Sequence, residues 1–339
     1  MQVYASMEQR LSLGQTGAHA QRAEALGYDG LNVPDAVHDG LLIAHEALRS
    51  TTRLRVATSV LVVFPRSPMI VAVAAWDLQS TSQGRFEMGL GTQVRGNIVG
   101  RYSTPWTSPV PRMREYVLSL RAIFASFQDA VPLKFEGEHY QFTKMQPFFN
   151  PGPIDHPKIP IYLGAVGPVM TALAGEVADG HMSHPTHSAP RVLHELALPA
   201  LERGAARSGR KVSDLHRMAA GMVSTGKDAD AVAAQREKNR ELLGFLYSTP
   251  AYWPALEIFG CREVGEKLHS MTREGKWSEM PGLIDDELLE NIIPSGTYDE
   301  IADVLIKRNE GLATQITFPM PDDPAEDGRT REVIAALRS

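Results

Sequence analysis

A single cysteine, Cys261, in 339 residues excludes an internal disulfide and any multi-cysteine zinc site. Lysine- and arginine-rich runs are missing too. With a formal net charge of −6, the chain lacks the cationic face that a nucleic-acid backbone or an acidic membrane surface would need. No apolar run reaches the length of a membrane span and no N-terminal signal is apparent, so the expected location is the cytoplasm. The hydrophobic fraction of 43% and charged fraction of 22% are those of an ordinary folded protein, which argues against disorder. The lone thiol reads as a small packed group rather than a nucleophile.

What the chain does have is a strong strand, helix, strand pattern between Leu54 and Gly91. Val56 to Val63 is a nearly unbroken β-branched and aliphatic run, as in a strand covered on both faces. Ser67 suits an N-cap and Pro68 the first helical position. Val71, Ala75 and Leu78 then share a helical face, Gly84 supplies a stop, and the next strand starts at Phe86. Such a unit predicts a parallel sheet wrapped in helices.

The alternation extends in both directions. Before it come a strand at Val3 to Met7, a helix between Thr16 and Gly27, a strand at Tyr28 to Pro34 and a helix at Leu42 to Ser50. After it, residues 93–111 read as a long irregular passage, followed by a helix with Met113, Val117, Leu120, Phe124 and Phe127 on one face. A hairpin insertion is expected over 133–149. Strands at 159–165, 180–183, 215–224 and 314–319 alternate with helices at 167–177, 190–207, 228–245, 297–309 and 329–338. Residues 246–295 break the pattern and read as an insertion packed on one end. The whole, 1–339, is expected to be one α/β domain, a (β/α)8 barrel with insertions, with its chemistry at the C-terminal ends of the strands.

Several segments carry a family resemblance. Thr58-Ser59-Val60-Leu61 with Arg66-Ser67-Pro68, and Gln83-Gly84-Arg85-Phe86-Glu87-Met88-Gly89-Leu90-Gly91-Thr92, resemble the luciferase-like superfamily of TIM barrels, whose members use FMN or the deazaflavin coenzyme F420. Trp76-Asp77-Leu78-Gln79, Gly91-Thr92-Gln93-Val94-Arg95 and Arg112-Met113-Arg114-Glu115-Tyr116 bring the chain closest to an actinobacterial subgroup of F420-dependent oxidoreductases. The resemblance implies a cis peptide at Ser59-Val60, forming a bulge behind the middle ring of the cofactor. It also implies that Thr92 and Gln93 lie beside that ring, that Ala165, Val166 and Gly167 form a phosphate loop, that His184 is a polar cofactor contact, and that the protein is a homodimer. The family loop usually has glycine where Val166 stands, which is tolerable if φ is negative there.

The residues themselves add detail. Gly89 to Val94 lacks the third glycine of the dinucleotide fingerprint, which excludes a nicotinamide Rossmann site. The small residues Gly164 to Gly167 between a strand and a helix suit an anion. His181, His184 and His187 have metal-like spacing, but Pro185 forbids a helix through them and no neighbouring carboxylate or cysteine completes a site, so no metal is expected. His184 is either a cofactor partner or a structural histidine. Related sugar-phosphate dehydrogenases carry histidine where Ala36 stands and glutamate where Val94 stands, so a different substrate is expected. Asp35 and His38 become the candidate acid–base groups, Asp35 also as a cofactor contact. Arg95 meets a phosphate or acidic substrate, or is a solvated loop residue. Tyr102, Trp106, Tyr252 and Trp253 line an apolar pocket or belong to the core.

The resulting expectation is F420-dependent hydride transfer to or from a small organic substrate, with a flavin or F420 reductase as a possible partner. The alternatives are an FMNH2-dependent monooxygenase using O2 and a partner flavin reductase, and a flavin-binding barrel without catalysis.

Overall fold

A computed structural model describes residues 1–338. Eight parallel strands form its centre: β1 (Gln2–Ser6), β2 (Gly30–Val33), β3 (Arg55–Thr58), β4 (Phe86–Gly91), β5 (Ile161–Gly164), β6 (Gly180–Met182), β7 (His216–Ala219) and β8 (Gln315–Thr317). Each pairs with the next, and β8 pairs with β1 at Gln2↔Gln315, which closes the barrel. β3 is interrupted at Ser59-Val60, whose peptide bond is cis, and resumes as Leu61–Val62 alongside Leu90 and Gly91.

Local chemistry explains the element boundaries. Ser67 Oγ accepts the Met69 N–H at 3.3 Å, Pro68 opens the helix Pro68–Thr81, and Gly84 follows it in the left-handed region at φ 87°. The outward faces of the strands and inward faces of the helices make one continuous core that includes Leu31, Val33, Ile43, Val71, Trp76, Leu120 and Phe127. Alternating residues turn into the lumen, where Tyr4, Ala57, Tyr162, Met182 and Met218 pack together and Val60 lies against them.

Three segments differ from the sequence expectation. The irregular passage after Thr92 contains a short helix, Arg95–Gly100. The expected strand 215–224 is divided: β7 ends at Ala219, and Ser224–Gly226 pairs with Ser295–Thr297 in a separate two-stranded sheet. The helix after Pro190 contains a wider turn at Leu193–Ala197 before Leu198–Arg207. A hairpin does form between Phe135–Glu136 and Gln141–Phe142. The aromatic, irregular region carries a core of its own, with Leu243, Tyr247, Leu256, Leu268, Leu288 and Leu289 buried together. Among the described residues no helix is long and apolar enough to cross a membrane.

Candidate functional site

The acid–base and cofactor candidates, Asp35 and His38 after β2, Ser59 and Val60 after β3, Thr92, Gln93 and Arg95 after β4, Ala165 to Gly167 after β5 and His184 after β6, all follow the C-terminal ends of barrel strands, so the fold gathers them at one mouth. They do not play equal parts there.

The loop after β2 is fixed by charge. Asp35 is buried; its Oδ1 accepts the Gly40 N–H at 2.9 Å and its Oδ2 the Val62 N–H at 2.8 Å. The Arg66 guanidinium donates to both oxygens at 2.8 and 3.2 Å, and also to Asp39 at 2.9 Å and to the Val62 carbonyl at 2.6 Å. Burial works against the Asp39 charge, but Arg66 and the Leu41 and Leu42 amides hold its carboxyl below the usual range. The Arg101 guanidinium donates to the Ala36 carbonyl across the loop. Both Asp35 oxygens are occupied in tying the loop to the segment beyond the bulge. His38, in the same loop, is half-buried and makes no hydrogen bond among the described residues.

The bulge places Ser59 and Val60 half-exposed at the floor of the mouth. Two glycines receive the valine. A side chain at Gly91 would meet Val60 Cγ2 at 2.3 Å, and one at Gly164 would meet Cγ1 at 2.8 Å. Beyond Gly91, Thr92 Oγ1 donates to the Gln93 carbonyl at 3.0 Å. Gln93 lies at φ 58°, with its Oε1 accepting the Val94 N–H at 2.8 Å. Arg95, in the first turn of the short helix, is exposed and forms no ion pair among the described residues.

On the other half of the mouth, among the described residues, the loop Ala165 to Gly167 and the rim His184 to His187 take part in no ion pair. Ala165, Val166 and Gly167 join β5 to the helix Pro168–Val177; Val166 stays out of the left-handed region, which accommodates its side chain. Gly167 is the N-cap, and no side chain caps the helix, so its first-turn amides remain available to an anion. His181 on β6 is buried, its Nε2–H donating to the Ala165 carbonyl at 3.0 Å. His184 follows β6 at the rim, with its ring stacked on Tyr252 from the irregular region, centroids 4.3 Å apart and planes at 14°. Burial holds His184 down to about 4; burial and the neighbouring histidines His184 and His181 hold His187 down to about 3. Both imidazoles are therefore neutral at pH 7. Among the described residues no three His, Cys, Asp or Glu side chains converge as metal ligands.

Of the expected aromatic pocket, Trp106 packs edge-on to Phe64 at 5.9 Å, while Trp253 donates to the Tyr247 carbonyl at 2.9 Å within the second core rather than facing the mouth. Sequence reading gave no role to Arg66, and no local signal marks it, since its partner Asp35 lies 31 positions away. A surface hollow of about 410 Å³ lies at the opposite end of the barrel, where Asp29 pairs with Arg338 and anchors the last helix.

The model of the luciferase-like monooxygenase family matches residues 2–315. The chain belongs to that family. It is 44% identical over 293 residues to Rv1360, an uncharacterized protein of Mycobacterium tuberculosis, covering 86% of both chains. It is 30% identical over 230 residues to the F420-dependent glucose-6-phosphate dehydrogenase of Intrasporangium calvum, covering 63% of this chain and 66% of that one. Among solved structures, the coenzyme F420-dependent tetrahydromethanopterin reductase of Methanopyrus kandleri superposes with a TM-score of 0.81 at 20% identity, over 99% and 98% of the two chains. The fold is thus the luciferase-like TIM barrel, and the family is one of flavin- and F420-dependent oxidoreductases.

Proposed function

We propose that this chain binds coenzyme F420 at the C-terminal mouth and transfers a hydride to or from a small organic substrate. The observation that carries the reading is the pairing of a half-exposed Ser59-Val60 floor with the uncapped helix terminus at Gly167, across Gly91 and Gly164. A flat ring with an anionic tail suits that pair: small residues and the valine offer an apolar support, and free first-turn amides offer donors to a phosphate. Relatives such as the Intrasporangium dehydrogenase, which by its name uses F420, support the choice of cofactor.

When bound, F420 supplies a ring carbon that gives or accepts hydride and scarcely activates dioxygen. The chain's own part is positional. Ser59 and Val60 back the ring, with Thr92 and Gln93 at its side. Ala165, Val166 and Gly167 hold the phosphate and His184 donates to the tail. Asp35 and Arg66 keep the β2 loop in place, so that His38 can give or take a proton at the substrate heteroatom. Arg95 is free to meet an acidic group on cofactor or substrate.

Titration of the purified protein with F420 and with FMN, each in both redox states, tests this by fluorescence and calorimetry. Micromolar or tighter binding is expected for F420, and weaker binding for FMN. Preference for reduced FMN would replace the proposal with oxygen-dependent chemistry, and binding of neither would overturn it.

A further inference from the structure

Three residues beyond β6 form a chain of contacts whose proton positions follow from one constraint. His184 Nδ1 accepts the Thr186 backbone N–H at 3.3 Å; an amide only donates, so Nδ1 is a bare lone pair. The contact from Thr186 Oγ1 to the same nitrogen, 2.8 Å, must then be an O–H donating to it. That uses the hydroxyl's one proton. The remaining contact, Thr186 Oγ1 to His187 Nδ1 at 2.9 Å, is accordingly an Nδ1–H of His187 donating to the hydroxyl oxygen. Since both imidazoles are neutral, His184 carries its proton on Nε2 and His187 on Nδ1. The fold reinforces the order. Tyr247 donates to the Thr186 carbonyl at 3.0 Å, and Tyr252 stacks on the His184 ring, so backbone and ring plane are both fixed. His187 Nε2 is buried without a partner, as a bare lone pair beneath the loop containing Ala165 and Val166.

We propose that Thr186 and His187 are positioning residues that lock His184 as a neutral Nε2–H tautomer, presenting a fixed donor to the anionic or carbonyl group of the ligand. Ala165 donates its N–H to the Met182 carbonyl at 3.3 Å, so the phosphate loop and the His184 rim belong to neighbouring strand ends. A lone imidazole in water samples both tautomers; this one is held to one, and its donor needs no rearrangement when ligand arrives. The role toward ligand rests on the F420 reading above, whereas the tautomer does not.

Nitrogen NMR of protein labelled at the histidine rings tests it, with assignment through His184→Gln and His187→Gln. Opposite patterns are expected in the free protein: Nε2 protonated in His184, Nδ1 protonated in His187. Thr186→Val keeps the backbone N–H and loses the hydroxyl, so His184 should stay protonated on Nε2 while His187 loses its preference for Nδ1–H and F420 binding weakens about tenfold, a difference of about 1.4 kcal/mol. Thr186→Ser, which keeps the hydroxyl, should restore the His187 pattern and the affinity. A protonated Nδ1 on wild-type His184, or a His187 pattern lost in Thr186→Val with unchanged F420 affinity, would overturn the proposal. Failure of wild-type protein to bind F420 alongside the expected patterns would instead count against the cofactor reading.

Discussion

The two sides of the barrel mouth are built on opposite electrostatics. Toward β2 and β3, the charged groups Asp35, Asp39 and Arg66 face one another, and Arg101 holds the loop between them. Toward β5 and β6, the polar groups are neutral: imidazoles, a hydroxyl and helix-end amides. The contrast shows how labour is divided. Mutually paired buried charges hold backbone well but cannot turn to a ligand without leaving a partner unpaired. Neutral donors left open can receive an anion with no counter-charge to displace.

The largest effect should come from breaking the charged side. With the Asp35 side chain 4% exposed and that of Arg66 19%, Arg66→Met leaves a buried carboxylate without its cation and should cost about 3–5 kcal/mol in urea unfolding. Adding Asp35→Asn should recover part of this. A loss below about 1 kcal/mol would mean that the pair is not what fixes the loop. Next in size is His38, which makes no hydrogen bond among the described residues. His38→Gln should lower kcat about 100-fold with F420 affinity unchanged, whereas Asp35→Asn should act mainly on stability. Equal kcat losses for the two variants would restore Asp35 to the chemistry.

The smallest expected effect belongs to the neutral side. His184 and His187 protonate near 6.5 in the unfolded chain, but only near about 4 and about 3 in the folded one. Between these values the unfolded state binds more protons, so stability falls as pH drops from 6.5 toward 4. The slope is at most about 1.4 kcal/mol per pH unit for each histidine. Above 6.5 the two contribute no slope. The difference between wild type and the variant His184→Gln/His187→Asn isolates this share from that of the carboxylates, and parallel pH curves for the two would show that the rings are not held neutral by the fold.

Much of the scaffold was legible because its signals are local. Ser67 and Pro68 start a helix, Gly84 ends it, and apolar runs mark strands whatever they pair with. What escaped depends on partners distant in the chain. Ser224 leaves the barrel because it pairs with Ser295, which no window around residue 224 reveals. The Arg66 pairing with Asp35 and the stacking of Tyr252 on His184 are products of closure, joining residues far apart in the chain. The family resemblance pointed to the cis bond at Ser59-Val60, a feature that no propensity indicates.

The fit of Val60 against Gly91 and Gly164 also constrains how this floor can change over time. Enlarging either glycine first meets a methyl group already in place, whereas trimming position 60 first leaves a void that a later alanine at 91 or 164 would fill. Descent from this sequence toward a floor of different shape is therefore directional: position 60 must move before the glycines do.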